Sequence, residues 1–180
     1  MNKRGKWAIW VSIVFVVLLL IGMFFYFALF KPSGNVVTLQ NPAKDLSLKE
    51  TEQQFDESFV SYLLYSIKAY NLHNPPLSSN YPKIEILVGE SVYYAVVKDS
   101  QVMVSKDVLD EVDVRIVTSL SEAAKMVKYP DSVKQSFEEG VSRIDLIASK
   151  TSLFSKGYLS LYTEITGKSI TGNVVRIYSD

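Results

Sequence analysis

The stretch Trp7 to Phe30 constrains this chain most: 24 residues without a charged side chain. At about 1.5 Å per residue such a run reaches roughly 36 Å as a helix, more than the ~30 Å hydrocarbon core of a bilayer. Its only strongly polar side chain, Ser12, can hydrogen-bond back onto its own helix. Trp7, Trp10 and Tyr26 lie towards the ends, where aromatic rings favour the water–lipid boundary. A cleaved leader has a shorter apolar region followed by small residues. Here Met23-Phe24-Phe25-Tyr26-Phe27 is bulky, and Ala28 is flanked at two positions by Tyr26 and Phe30. The expectation is an uncleaved signal-anchor, a transmembrane helix over 7–30. Lys3, Arg4 and Lys6 precede it and favour a cytoplasmic segment 1–6, with residues 31–180 outside the cell membrane. No charge interrupts the run, so nothing in it suggests an ion path.

About 150 residues follow, enough for one domain with a real core. They carry 16 basic against 19 acidic residues, a net of −3. That balance argues against nucleic acid as a partner, because phosphate binding needs concentrated positive charge. There is no cysteine, which removes disulfides, thiol nucleophiles and thiolate metal sites. No N-x-Ser/Thr sequon is present.

Residues 31–47 are rich in Pro, Gly, Asn and Ser and read as a linker, with the domain proper over 48–180. Thr51 and Gln54 have capping-box spacing. Phe55, Phe59, Leu63, Ile67 and Tyr70 then recur at three- and four-residue steps, predicting one amphipathic helix over 52–71, ended by Asn74-Pro75-Pro76. The period then changes to two. Runs at 84–88, 92–97, 102–104 and 112–117, with Gly89-Glu90 and Asp99-Ser100 as turns, predict an antiparallel meander. Asp113 and Arg115 are assigned to its wet face. Ser119 with Glu122 predicts a capped helix over 120–128. A second helix over 131–139 closes at Gly140, a strand runs over 143–148, and a last helix spans 152–166. Val174, Val175, Ile177 and Tyr178 suggest a terminal strand. Gly34-Asn35-Val36-Val37 recurs as Gly172-Asn173-Val174-Val175, a match short enough for chance.

Catalytic signatures are missing. His73 is the single histidine and has no partner at triad or ligand spacing, so it reads as an exposed loop residue. One histidine without cysteine does not make a zinc site. Asp107, Asp110, Glu111 and Asp113 lack the order and closing Glu of a calcium loop and read as a solvated turn. Glu138-Glu139 reads as an exposed helix end. No glycine-rich phosphate loop or G-x-S-x-G elbow occurs. The tyrosines, Tyr62, Tyr65, Tyr70, Tyr93, Tyr94, Tyr158 and Tyr162, could wall a cavity, but core and boundary positions account for them as well. No catalytic, metal or cofactor residue is assigned, and no cofactor is expected.

Three places resemble the sterol-carrier-protein-2 (SCP2) family. Val112 to Val127 (VDVRIVTSLSEAAKMV) is similar to that family's strand leading into a capped helix. Phe137-Glu138-Glu139-Gly140 resembles its F-x-x-G before the fifth strand, and the helix after Ala148 sits where the family has its C-terminal helix. At Ile147-Ala148-Ser149 the chain departs from the family, which usually has a second glycine there. The resemblance implies an α+β domain, an antiparallel sheet of about five strands packed with helices on one face. It also implies an apolar tunnel for a lipid or similar ligand, though no tunnel residue is identifiable by motif. The resulting expectation is a membrane-anchored, non-catalytic domain that binds a lipid or other apolar ligand. The alternative is a protein-interaction domain of a cell-surface assembly, docking through the helix 52–71.

Overall fold

The computed structural model describes residues 14–22 and 39–168. It divides the chain into two units, broken between Val36 and Val37. In the first, residues 14–22 are helical, with apolar side chains exposed from Val14 to Ile21. Among the described residues, no helix is long and apolar enough to cross a membrane. The rest of the run 7–30, the paired Gly-Asn-Val-Val segments and the terminal strand at 174–178 lie outside the described residues.

The second unit is α+β. Its helices are α1 (Leu48–Gln53), α2 (Glu57–Ser66), α3 (Leu120–Lys128), α4 (Ser132–Glu138), α5 (Lys150–Ser155) and α6 (Tyr158–Thr166). Its strands are β1 (Lys83–Val88), β2 (Ser91–Lys98), β3 (Gln101–Ser105), β4 (Val114–Thr118) and β5 (Arg143–Leu146). They form one mixed sheet in the order β3-β2-β1-β4-β5.

The meander holds for β1 to β3 and fails at β4. Hairpin register is local: Val88 pairs with Ser91 across one turn, and Lys98 with Gln101 across the next. Asp99 and Ser100 both adopt positive φ (52° and 62°), the mirror-image geometry that suits the twist of a tight hairpin. β4 then pairs with β1, in parallel, with Ile84 opposite Val114 and Ile86 opposite Ile116. The connection 106–113 must therefore pass β2 and β1. Two physical facts account for the exchange. β3 is an edge whose Val102 N–H donates to Tyr65 Oη of α2 at 3.2 Å, so a helix side chain takes the bond a fourth strand would have offered. β4 alternates buried Val114, Ile116 and Thr118, a pattern suited to a central position between β1 and β5.

The expected long helix 52–71 is two helices. Ser47, not Thr51, supplies the capping box: its hydroxyl accepts the Glu50 N–H, and Glu50 returns a bond to the Ser47 N–H at 2.8 Å. Asp56 then starts α2 by accepting the Ser58 N–H at 2.8 Å, breaking the ladder at a side chain that competes for backbone donors. α2 ends well before the prolines, where Lys68 turns left-handed at φ 59°. The last helix also divides, at Gly157 (φ 85°), into α5 and α6. By contrast α3 begins and ends as its periodicity predicts, with Ser119 accepting the Glu122 N–H.

Residues 41–47, read above as linker, pack on this unit. Asn41 Nδ2 donates to Val127 O at 2.9 Å and Ala43 is fully buried. Lys128 Nζ, at the C-terminal end of α3, donates to the carbonyls of Ala43, Lys44 and Leu46. A cation there meets the negative end of the helix and three backbone oxygens together.

The core lies on one sheet face. Ile84, Ile86 and Val88 of β1 and Tyr93, Ala95 and Val97 of β2 are buried, while the residues between them in β1 are half-buried. Val60 and Leu64 of α2, Met126 of α3 and Phe137 of α4 pack over that face. On the opposite face, Tyr94, Glu85, Arg115 and Asp145 stand in register across β2, β1, β4 and β5, and Arg115 is ion-paired to Glu85.

Candidate functional site

Among the described residues, an apolar pocket lies between that sheet face and the helices. Ile86, Ile116 and Thr118 form its floor. Val60, Leu63, Leu64 and Ile67 of α2 and its C-cap form one wall, and Met126, Val133 and Phe137 of α3 and α4 the other. The helical three- and four-residue spacing that makes α2 amphipathic is what aims one stripe at the strands.

Only apolar atoms face the cavity. Thr118 is the one polar residue in its lining, and its hydroxyl is engaged elsewhere. Ser142 Oγ donates to Thr118 Oγ1 at 2.8 Å and lies 2.7 Å from Ser136 Oγ, a buried chain of three hydroxyls. The cavity volume is about 30 Å³, against the ~10–15 Å³ that one water needs on the same measure. The expected tunnel is therefore a small apolar pocket.

A second cluster is ionic and was not foreseen. Lys156 and Asp113 are both buried, with Nζ 2.8 Å from Oδ1 and 2.9 Å from Oδ2. Lys156 Nζ also donates to Asn80 Oδ1 at 2.9 Å and Tyr81 O at 3.2 Å. Asp113 Oδ2 accepts the Lys83 N–H at 2.8 Å and faces Tyr158 Oη at 3.1 Å. Burial, followed by the charge of Asp113, pushes the Tyr158 hydroxyl well above its ordinary pKa. Every donor of the ammonium is used and the carboxylate accepts from three sides, so neither group is free to act as nucleophile or base. The cluster joins the segment before β1, the start of β4 and the α5–α6 junction.

This corrects the reading of the acidic run. Asp107, Asp110 and Glu111 are exposed, but Asp113 is a core residue. The signal available in the sequence was Lys156 itself, a lysine set three residues after the inward-facing Leu153. A buried charge needs a partner, and its partner lies 43 positions away.

The other residues singled out fall outside the pocket. His73 is exposed, its Nδ1 3.3 Å from Asn71 O. Glu138 forms an exposed ion pair with Lys134. The tyrosines serve core and boundary: Tyr93 and Tyr158 are buried, Tyr65 stacks on Tyr70 at 5.9 Å, and none lines the pocket. Phe59 is buried, while Phe55 and Leu63 are half-buried against the same core, so these residues give no support to a docking face on α2. Among the described residues, no group of three or more His, Asp or Glu could hold a metal ion.

No protein-family model matches the chain, and no curated protein does. Among solved structures, the chain is similar to the crystal structure of sterol carrier protein 2 like 2 from Aedes aegypti. The identity is 18%, the match covers 54% of this chain and 92% of that one, and the TM-score is 0.31.

Proposed function

We propose that this protein is a membrane-anchored, non-catalytic domain that takes an apolar ligand between α2 and α4, with an alkyl chain of a membrane lipid as the natural occupant. The observation that carries the proposal is the pocket, whose exposed atoms are all apolar. A polar ligand group placed there would lose its water and gain no hydrogen bond, so the site selects hydrocarbon. Met126 and Phe137 supply adaptable and bulky contact surface, and Met suits walls that must repack. The empty pocket is small, so binding parts α2 from α4. The Asp56 cap at one end of α2 and the left-handed Lys68 beyond the other make it a short, separate helix. The uninterrupted run 7–30 and the basic residues before it support an anchor that keeps the domain beside its source of lipid.

The test is native mass spectrometry of the full chain released from mild detergent. A lipid-sized adduct is expected, and Val133→Phe, which fills the pocket, should remove it while the fold remains intact by circular dichroism. A full chain without any adduct, or an adduct that survives Val133→Phe unchanged, overturns the reading.

A further inference from the structure

One end of the sheet carries three exposed apolar side chains on converging segments. β1 and β4 begin there and β5 ends there, since Ile84, Val114 and Leu146 are in register. The segments 72–82 and 147–157 converge on this end. Lys156 bonds to Asn80 and Tyr81, the His73 N–H donates to Lys156 O at 3.2 Å, and the N–H groups of Ile147 and Ala148 both reach Asp113 O at 2.9 Å. On this braced base three large apolar side chains stand in solvent: Leu77 at 109% exposure, Phe154 at 73% and Ile147 at 48%.

Leu77 is held out at a conformational cost. Its φ is 61°, in the left-handed region that side-chain-bearing residues avoid. The turn is pinned by the Ser78 N–H to Pro75 O at 3.1 Å and by Asn74 Nδ2 to Ser78 O. The two segments together contain no Asp or Glu, in a chain that has 19. Their cations are the exposed Lys150 and the buried, paired Lys156. Asp107, Asp110 and Glu111, in the connection 106–113 that leads from β3 to β4, are exposed.

We propose that this end of the domain enters the lipid interface, with Leu77, Ile147 and Phe154 among the head groups; the idea rests on the anchored reading above. A protein partner's apolar surface is met by a groove or a continuous patch. Separate apolar and aromatic tips on two braced segments that themselves carry a lysine and no carboxylate suit a bilayer surface, which accepts apolar tips; the β2–β3 turn with exposed Asp99 lies at the same end of the sheet. The ten residues 31–40 between the apolar run and the docked segment at Asn41 can span at most about 36 Å.

The chain has no cysteine, so single labels can be placed in the full-length protein. Leu77→Cys, Phe154→Cys and, as control, Glu90→Cys in the exposed β1–β2 turn at the opposite end of the sheet would each carry an environment-sensitive fluorophore. The proteins are reconstituted in vesicles of phosphatidylcholine and phosphatidylglycerol with and without nitroxide-labelled lipid. The expected result is flotation of all three, with quenching at 77 and 154 several-fold stronger than at 90. Flotation with equal quenching at the three positions overturns the proposal and leaves the anchor standing. A blue shift at 77 or 154 that nitroxide lipid does not quench marks contact with protein, and also overturns it. Failure to float removes the anchored reading, and this proposal with it.

Discussion

Lys156 Nζ and Asp113 Oδ1 lie 2.8 Å apart with both side chains buried, and this pair holds three distant segments of the chain in register. A buried ion pair contributes little net stability when both partners are present, because desolvation offsets the Coulomb attraction. Removing one partner is different, since the other is left charged and unpaired. Lys156→Met should therefore cost about 3–5 kcal/mol. Adding Asp113→Asn to Lys156→Met should cost clearly less than the sum of the two single changes. Urea unfolding of the detergent-solubilised chain, read by far-ultraviolet circular dichroism, checks this. Strict additivity would show that the pair does not couple.

Tyr158 makes stability depend on alkaline pH. Its hydroxyl is raised well above 10.0 in the folded protein by burial and by Asp113. Between the unfolded and the folded value, the folded state holds a proton that the unfolded chain has released, so stability falls as pH rises. The contribution is fully present below about pH 9 and declines above about pH 10. Tyr158→Phe should lose about 1 kcal/mol at neutral pH through the missing hydrogen bond. It should also show a shallower loss between pH 9 and 11. Unfolding midpoints across that range decide it, and parallel slopes for the two proteins would exclude Tyr158 as the source.

Gly157 separates α5 from α6 with φ 85°, and a Cβ there would lie 3.4 Å from His73 Cε1 and 3.5 Å from Nδ1. Gly157→Ala should lower stability by about 1–2 kcal/mol, mainly through the left-handed backbone. Thermal unfolding of Gly157→Ala beside Gly157→Asn separates the two causes. Asparagine tolerates this conformation but is larger, so a milder loss for asparagine points to backbone and a harsher one to the His73 contact.

Lys128 gathers the carbonyls of Ala43, Lys44 and Leu46. Lys128→Met keeps most of the stem and removes the donors. Amide hydrogen exchange over residues 41–47 should then accelerate at least several-fold, while exchange in β1 and β4 stays unchanged. Unaltered protection of 41–47 would mean that Asn41 and buried Ala43 hold the segment without the lysine.

The elements that could be read from the sequence are those whose signals lie within a few neighbouring residues. α3 is an example: Ser119 and Glu122 mark its start, and buried Ala123, Ala124 and Val127 give its inward stripe. The tight hairpins of β1 to β3 are another, because each register follows from one turn. Reading 52–71 as one helix failed because apolar periodicity continues across Gln54–Asp56 although the backbone does not. Asp56 offers the next helix a cap, and a cap is a competing local choice that periodicity does not register. Of the pocket residues, Leu63 and Ile67 were visible as members of the apolar stripe. Their convergence with Val133 and Phe137 was not, since it depends on how α2 and α4 cross the sheet.

By itself, then, the sequence determined the α+β class, the helix caps near 119 and 140, and the alternation that leaves one sheet face covered. These follow from propensity, capping and side-chain periodicity, which act over one turn or one strand. Tertiary structure decided that β4 lies beside β1, that Tyr65 closes the β3 edge, and that Asp113 belongs to the core with Lys156. Each of those depends on which distant surface removes a group from water. That balance of burial against hydrogen bonding exists only once the chain has closed on itself.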